Sequence, residues 1–255
     1  MDCLACPYLL CCHWSALLAR DVGLCTAVLG LFVRAVFAYQ RRRGRELGIE
    51  GQNAAVSFVQ RFGSALQLNV HFHVLVPEGL FAAPSPGAPP RATFLALPPP
   101  SDEEVDSLLQ TVMHRMVRLL SRRGLLEGDA SPDDALETLQ AASLQRRLPL
   151  AEPEAPLPVH KRRCASYEGF SLHANTRVHE NDRQGLEQLC RYGARGPLAL
   201  ERLAWREDGR LSYRLKRPAP DGSTHLVLTP LELLRLLAAL VPPPRANLVH
   251  YHMMP

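Results

Sequence analysis

Lysine is nearly absent. Lys161 and Lys216 are the only two in 255 residues, among 29 basic side chains. Arginine therefore carries the positive charge, in runs such as Arg41-Arg42-Arg43, Arg122-Arg123 and Lys161-Arg162-Arg163. Its planar fork donates two parallel hydrogen bonds and so suits phosphate. The net charge is only +4, so composition fits a nucleic-acid partner and a solvated arginine face equally well. A long apolar run is also missing. Gly23 to Val33 is apolar, but Arg34 ends it far short of the ~20 residues a membrane span needs. No basic leader precedes an apolar stretch and a small-residue cleavage site, which argues against secretion. The seven cysteines are an odd number, and four of them (Cys3, Cys6, Cys11, Cys12) crowd the first dozen residues. Together these absences imply a reducing, cytoplasmic setting with no membrane partner. No internal repeat is visible, and at 47% hydrophobic residues the chain can bury one large core or two modest ones.

Helical spacing runs from about Ala16 to Arg45, through Leu24, Val28, Leu31, Phe32 and Ala35, and predicts one long helix or two short ones. "AVSFVQRF" (Ala55 to Phe62) and "NVHFHVLV" (Asn69 to Val76) read as neighbouring antiparallel strands around "GSALQ". Phe81 to Pro100, rich in proline and alanine, reads as a loop. Ser101 and Glu104 form a capping box, followed by an apolar face from Val105 to Leu120 that ends at Gly124. A weaker helix is expected over Asp133 to Arg146, then a proline-rich linker to about Arg163. Gly169 to Val178 reads as a strand. Asp182 to Tyr192 reads as a helix burying Leu186, Leu189 and Cys190. A hairpin turns about Asp208-Gly209, "THLVLT" adds a strand, Thr229-Pro230-Leu231-Glu232 opens a helix, and "NLVHYH" closes the chain. The fold class is α+β, with a central, mainly antiparallel sheet flanked by helices. Residues 1–50 are expected as a helical leader left by truncation, and 51–255 as a catalytic domain with a helical insertion at about 84–165.

The histidine strand raises the functional question. Alternate residues of a strand share a face, so Val70, Phe72, Val74 and Val76 point one way and Asn69, His71, His73 and Leu75 the other. One face is core; the other carries two imidazoles that could occupy two positions on one divalent cation. Cys3-x2-Cys6, with Cys11, Cys12 and His13, is a second metal-like pattern, but its cramped spacing makes zinc there the weaker reading.

The phrases "QRFGSALQLNVHFHVLVPEGLF" (60–81), "GFSLHANTRVHENDRQGLEQLCRYGARGPLAL" (169–200) and "RLAWREDGRLSYRLKR…NLVHY" (202–251) occur in an order that resembles the rolling-circle transposases of bacterial insertion sequences. The likeness is to the IS-ninety-one-like group within the HUH endonuclease superfamily. That resemblance implies an HUH-endonuclease-like fold in which His71 and His73 hold Mg²⁺ or Mn²⁺. It also implies that Tyr192 attacks a phosphodiester of single-stranded DNA at element ends and target. Where many relatives carry a second tyrosine this chain has Gln188, which makes it a single-tyrosine variant. Where a further histidine is common it has Asn69. The third metal ligand is open among Asn69, Gln60 and Gln188. Arg191, Arg195, Lys216 and Arg217, together with Arg115, Arg118 and Arg122 on the Ser101 helix, are candidates for phosphate contacts, and Tyr213 beside Lys216 is a candidate stacking surface.

The expected function is site-specific nicking and rejoining of single-stranded DNA in transposition, through a 5′-phosphotyrosine. Two other classes stay open: a truncated transposase remnant that binds DNA without cutting it, and a metal-dependent hydrolase that does not use the tyrosine.

Overall fold

A computed structural model describes residues 5–11, 14–84, 92–125, 162–167, 169–219 and 221–254. A six-stranded antiparallel sheet organises them, built from β1 (Ala5–Cys11), β2 (Asn53–Phe62), β3 (Leu68–Pro77), β6 (Cys164–Tyr167), β7 (Phe170–His173) and β11 (Val249–Met254). Its strand order is β11-β2-β3-β1-β7-β6. β4 (Gly79–Ala82) pairs with β5 (Thr93–Ala96) inside the stretch expected as loop, and β8 (Leu203–Trp205), β9 (Leu211–Arg214) and β10 (His225–Leu228) form a separate three-stranded sheet. The strand expected at Gly169 to Val178 divides differently, with β7 ending at His173 and pairing back onto β6.

Residues 5–11, expected within a helical leader, instead lie between β3 and β7, with Leu9 opposite His73 on one side and His173 on the other. Pro7 obscures this in the sequence, because a residue with no N–H to donate argues against a central strand. Cys6 and Cys11 fall in this strand; Cys3, Cys12 and His13 lie outside the described residues, as do Lys161 and the helix expected over Asp133 to Arg146.

The helices begin where the local chemistry supplies caps. α1 (Ser15–Arg20) and α2 (Val22–Glu46) meet at Asp21, whose carboxylate accepts from the Leu24 N–H at 2.8 Å. This settles the one-or-two-helix question as two. Contrary to the reading that Arg34 ends the apolar run too soon, α2 as a whole is long and apolar enough to cross a membrane, but more than half of its most apolar stretch is buried inside this fold. α3 (Asp102–Arg122) opens on the expected Ser101/Glu104 capping box, and all eight apolar positions from Val105 to Leu120 are buried. α1, α2 and α3 cover one face of the sheet. Val70, Phe72, Val74 and Val76 of β3, each fully inaccessible, pack into a single core with them. Burying each such side chain is worth about 1.5–3 kcal/mol, and this fixes the register of β3. A slip of one residue would send the histidines into the core.

α4 (Arg183–Ala194) lies on the opposite face of the sheet, and α5 (Pro230–Leu240) packs on the small sheet. α5 has the full cap read from Thr229, Pro230 and Glu232. α4 departs from expectation: Leu186 is exposed and Leu189 and Cys190 only half-buried, while Gly193 alone is buried. Two hinges tie the small sheet to the large one. Leu66, in the β2–β3 turn, packs with Leu211, Tyr213 and Leu233. The buried guanidinium of Arg61 donates to the carbonyls of Ala19, at 3.0 Å, and Leu240, at 3.2 Å.

Candidate functional site

β2 and β3 place Gln60 directly opposite His71, and Phe58 opposite His73. All four side chains therefore share the face away from the core. Both histidines are buried, each 7% exposed, with ring centroids 5.0 Å apart. α4 crosses above them. It can come close because Gly193 has no side chain: a Cβ there would lie 2.7 Å from Cδ2 of Phe58. Gln60 fastens the crossing, its amide nitrogen donating to the carbonyl of Tyr192 at 2.6 Å and of Gly193 at 2.9 Å.

These bonds fix which atoms of the site can donate. With both Gln60 N–H groups aimed at carbonyls, its Oε1 must be the atom facing His71 Nε2, at 3.2 Å. The other ring nitrogen of His71 lies 2.8 Å from the Asn69 carbonyl, which can only accept, so the proton of the neutral ring sits on Nδ1. Nε2 then presents a lone pair to the lone pairs of Gln60 Oε1. Protonating the ring would relieve that opposition, but burial, together with the Arg195 guanidinium, pushes the His71 pKa down. His73 is held neutral more strongly: burial, then His71 and Arg195, bring its pKa down to about 3. Its Nε2 is buried with no hydrogen-bond partner.

The result is an Nε2 lone pair on His71 facing the lone pairs of Gln60 Oε1, beside a buried His73 Nε2 with no hydrogen-bond partner. Such a cluster is costly when empty and complementary to a cation. Of the three candidate third ligands, Gln60 is the one beside the pair. Asn69 Oδ1 meets Ser15 Oγ at 3.4 Å, and Gln188 is exposed on α4. Among the described residues no third histidine, cysteine or carboxylate completes a metal-binding group. The donor set is therefore uncharged, and a divalent ion held there would keep its full charge for an anionic substrate.

Tyr192 stands at the edge of this cluster. Its ring meets that of His73 edge-on at 5.4 Å between centroids, and it is 43% exposed, so one side faces the site and the other solvent. The Arg195 guanidinium lies 4.5 Å from the ring centroid and Lys216 Nζ 5.6 Å, both at cation–π distance.

The remaining phosphate candidates divide. Arg191 is exposed and paired with Glu187 at 2.7 Å on its own helix. Arg217 is exposed in the turn beyond β9. Arg115, Arg118 and Arg122 are exposed on α3, which covers the core face of the sheet, so the sheet separates them from Tyr192. Tyr213 is a correction. It is 1% exposed and offers no face to a base; its ring carries the Arg202 guanidinium at 4.3 Å. Arg202 escaped the sequence reading because "ALERLAW" has no motif around it, and only the fold brings it near Lys216.

The α+β fold with antiparallel sheets thus brings two buried histidines together with a half-exposed tyrosine and the side chains of Arg195 and Lys216. Its family follows from the sequence comparison: the model described as "Putative transposase" (Y2_Tnp) matches residues 54–254, and the chain belongs to that transposase family. Neither the curated proteins nor the solved structures compared with the chain contain a match. The matched span begins at β2 and runs through the histidine strand, Tyr192 and the small sheet to β11. A transposase acts on DNA, whose phosphates suit arginine.

Proposed function

We propose that this transposase is an HUH-type nickase and ligase of single-stranded DNA in bacterial transposition, with Tyr192 as nucleophile and His71, His73 and Gln60 as the metal-holding group. The observation that carries the reading is that the unpartnered His73 Nε2 and the opposed His71 Nε2 and Gln60 Oε1 lie together beside the ring of Tyr192. A divalent cation, Mg²⁺ or Mn²⁺, would supply Lewis-acid polarisation of the scissile phosphate. The chain's own residues do the rest. Gln60 holds the carbonyls of Tyr192 and Gly193, and so sets the height of the nucleophile above the histidines. Arg195 and Lys216 place positive charge against the tyrosine ring, where it would attract the phosphate that the hydroxyl attacks.

Tyr192 Oη forms a bond to phosphorus while the bond from phosphorus to the 3′ oxygen breaks. The phenol proton is lost and one is gained by the departing oxygen. The products are a 5′-phosphotyrosine and a free 3′-hydroxyl. Because the phosphodiester energy is conserved in the adduct, attack by a 3′-hydroxyl reverses the step and rejoins strands without a nucleotide cofactor. Nothing in this cycle needs a second tyrosine if the strands are exchanged one at a time.

Labelled single-stranded DNA carrying element ends, incubated with Mn²⁺ or with chelator and run on a denaturing gel, tests the reading. A covalent adduct that needs metal and is lost in Tyr192→Phe and His71→Ala is expected. Tight DNA binding with no adduct would identify a binding remnant, and turnover without an adduct would identify a hydrolase that bypasses Tyr192.

A further inference from the structure

Arg195, Arg202 and Lys216 come from three separate segments: the end of α4, the turn before β8 and the turn after β9. Arg195 and Lys216 share the ring of Tyr192, at 4.5 and 5.6 Å from its centroid, and Lys216 also feels the charge of Arg202. The Lys216 pKa is lowered by burial first and then by the two guanidinium groups, with Glu201 only partly opposing them. Among the described residues none of the three takes part in an ion pair. Like charges on long side chains ordinarily spread into solvent. Here the two arginines are held in place. The Arg195 guanidinium lies between the rings of Phe62, at 5.2 Å, and Tyr192, at 4.5 Å. Arg202 stacks on the buried ring of Tyr213 at 4.3 Å and donates to the Ser64 carbonyl at 3.0 Å. The Nε–H groups of both arginines are buried without an acceptor. Two fixed guanidinium groups, each with an unused Nε–H, and the Lys216 ammonium beside them, with only Glu201 opposing, form a preorganised anion site.

We infer that this cluster is a second phosphate site, which takes a backbone phosphate of the DNA strand next to the scissile one and thereby bridges the small sheet to the large one. The inference rests on the transposase reading for its ligand, a single DNA strand. It assigns Arg202, on the small sheet, a role in holding that strand. Arg195 belongs to both sites, since it also touches Tyr192. With a phosphate on the 5′ side of the scissile one held by the cluster, the strand that ends in the free 3′-hydroxyl would stay close enough to rejoin after Tyr192 takes the other.

The test measures binding rather than chemistry. In the Tyr192→Phe background with chelator, the affinity for a labelled single-stranded oligonucleotide spanning an element end is followed against salt. Neutralising one phosphate contact lowers the slope of log K against log salt by about 0.7 for a single strand. Lys216→Ala and Arg202→Gln are each expected to lower the slope by about that amount and to weaken binding about tenfold near 0.1 M salt. Lys216→Arg should keep the wild-type slope, and Arg34→Ala, exposed on α2 at the core face of the sheet, should leave it unchanged. A scan with one neutral methylphosphonate per oligonucleotide adds a chemical double-mutant cycle. At one linkage beside the scissile phosphate, the Lys216→Ala penalty should vanish. Unchanged slopes, or penalties that add at every linkage, would overturn the second site even if wild-type protein forms the tyrosine adduct. A slope change without any adduct would leave the site standing and remove the nickase reading instead.

Discussion

Gln60→Glu separates the two jobs assigned to one side chain. The substitution keeps an oxygen facing His71 and adds a charge that a cation would welcome, so as a ligand alone it should help. As a fastener it fails. Both amide N–H bonds, to Tyr192 O at 2.6 Å and Gly193 O at 2.9 Å, are replaced by a carboxylate oxygen facing carbonyl oxygens. Each lost bond is worth about 1 kcal/mol net, and each carbonyl left unsatisfied in a buried place costs about 1–3 kcal/mol more. Because α4 buries only Gly193 among its residues, little else holds it down. The Tyr192 end of the helix should therefore lift from the sheet before the core unfolds. A displacement near 1 Å costs on the order of 10²-fold in a positioned reaction. The expected result is a fall of roughly that size in the rate of metal-dependent adduct formation, with Mn²⁺ affinity equal to or above wild type and the thermal transition of the core little changed. Isothermal titration with Mn²⁺ and single-turnover gels read the two quantities separately. A Glu variant that forms adduct as fast as wild type would refute the fastening role. One that loses metal affinity along with rate would refute the donor assignment.

Gly193→Ala addresses the same crossing from the other side. Its Cβ would meet the Phe58 ring at 2.7–3.2 Å, where unstrained carbon contacts lie at about 3.5–4.0 Å, so adduct formation should slow by about ten- to a hundredfold. Phe58→Leu in the same chain should restore most of the loss, and an unchanged rate in the single variant would show that α4 does not need the close approach. The histidines give a pH signature. Both have pKa values below the ordinary 6.5 in the folded protein, so the unfolded chain binds more protons and stability rises with pH in that window. Chelator-treated protein should lose stability as pH falls from about 6.5 towards 3, and His73→Gln, which removes the group whose pKa is brought down to about 3, should flatten the loss. Chemical denaturation across that range, with the same midpoint at pH 7 and pH 5 for wild type, would contradict it.

Much of this protein can be read from local sequence, for a physical reason: caps, turns and period are properties of neighbouring residues. Ser101 with Glu104 and Thr229 with Glu232 close their helices wherever the helices dock, and the alternation through Val70, Phe72, Val74 and Val76 separates a core face from a histidine face before any partner strand is known. The pair His71 and His73, and the tyrosine on a later helix, could be singled out because motif wording preserves chemistry over distance. Contacts between remote segments could not. That Gln60 and not Gln188 stands beside His71 depends on the β2–β3 register. That Arg202 joins Lys216, while Arg115, Arg118 and Arg122 are carried to the far side, depends on which face of the sheet each helix and turn covers. Residues 5–11 enter the centre of the sheet against the local evidence of Pro7, because pairing with β3 and β7 on both edges outweighs one missing donor. Periodicity told which side of each element would be buried; tertiary packing alone chose the partners, because burial energy depends on apolar area and is indifferent to which area covers it.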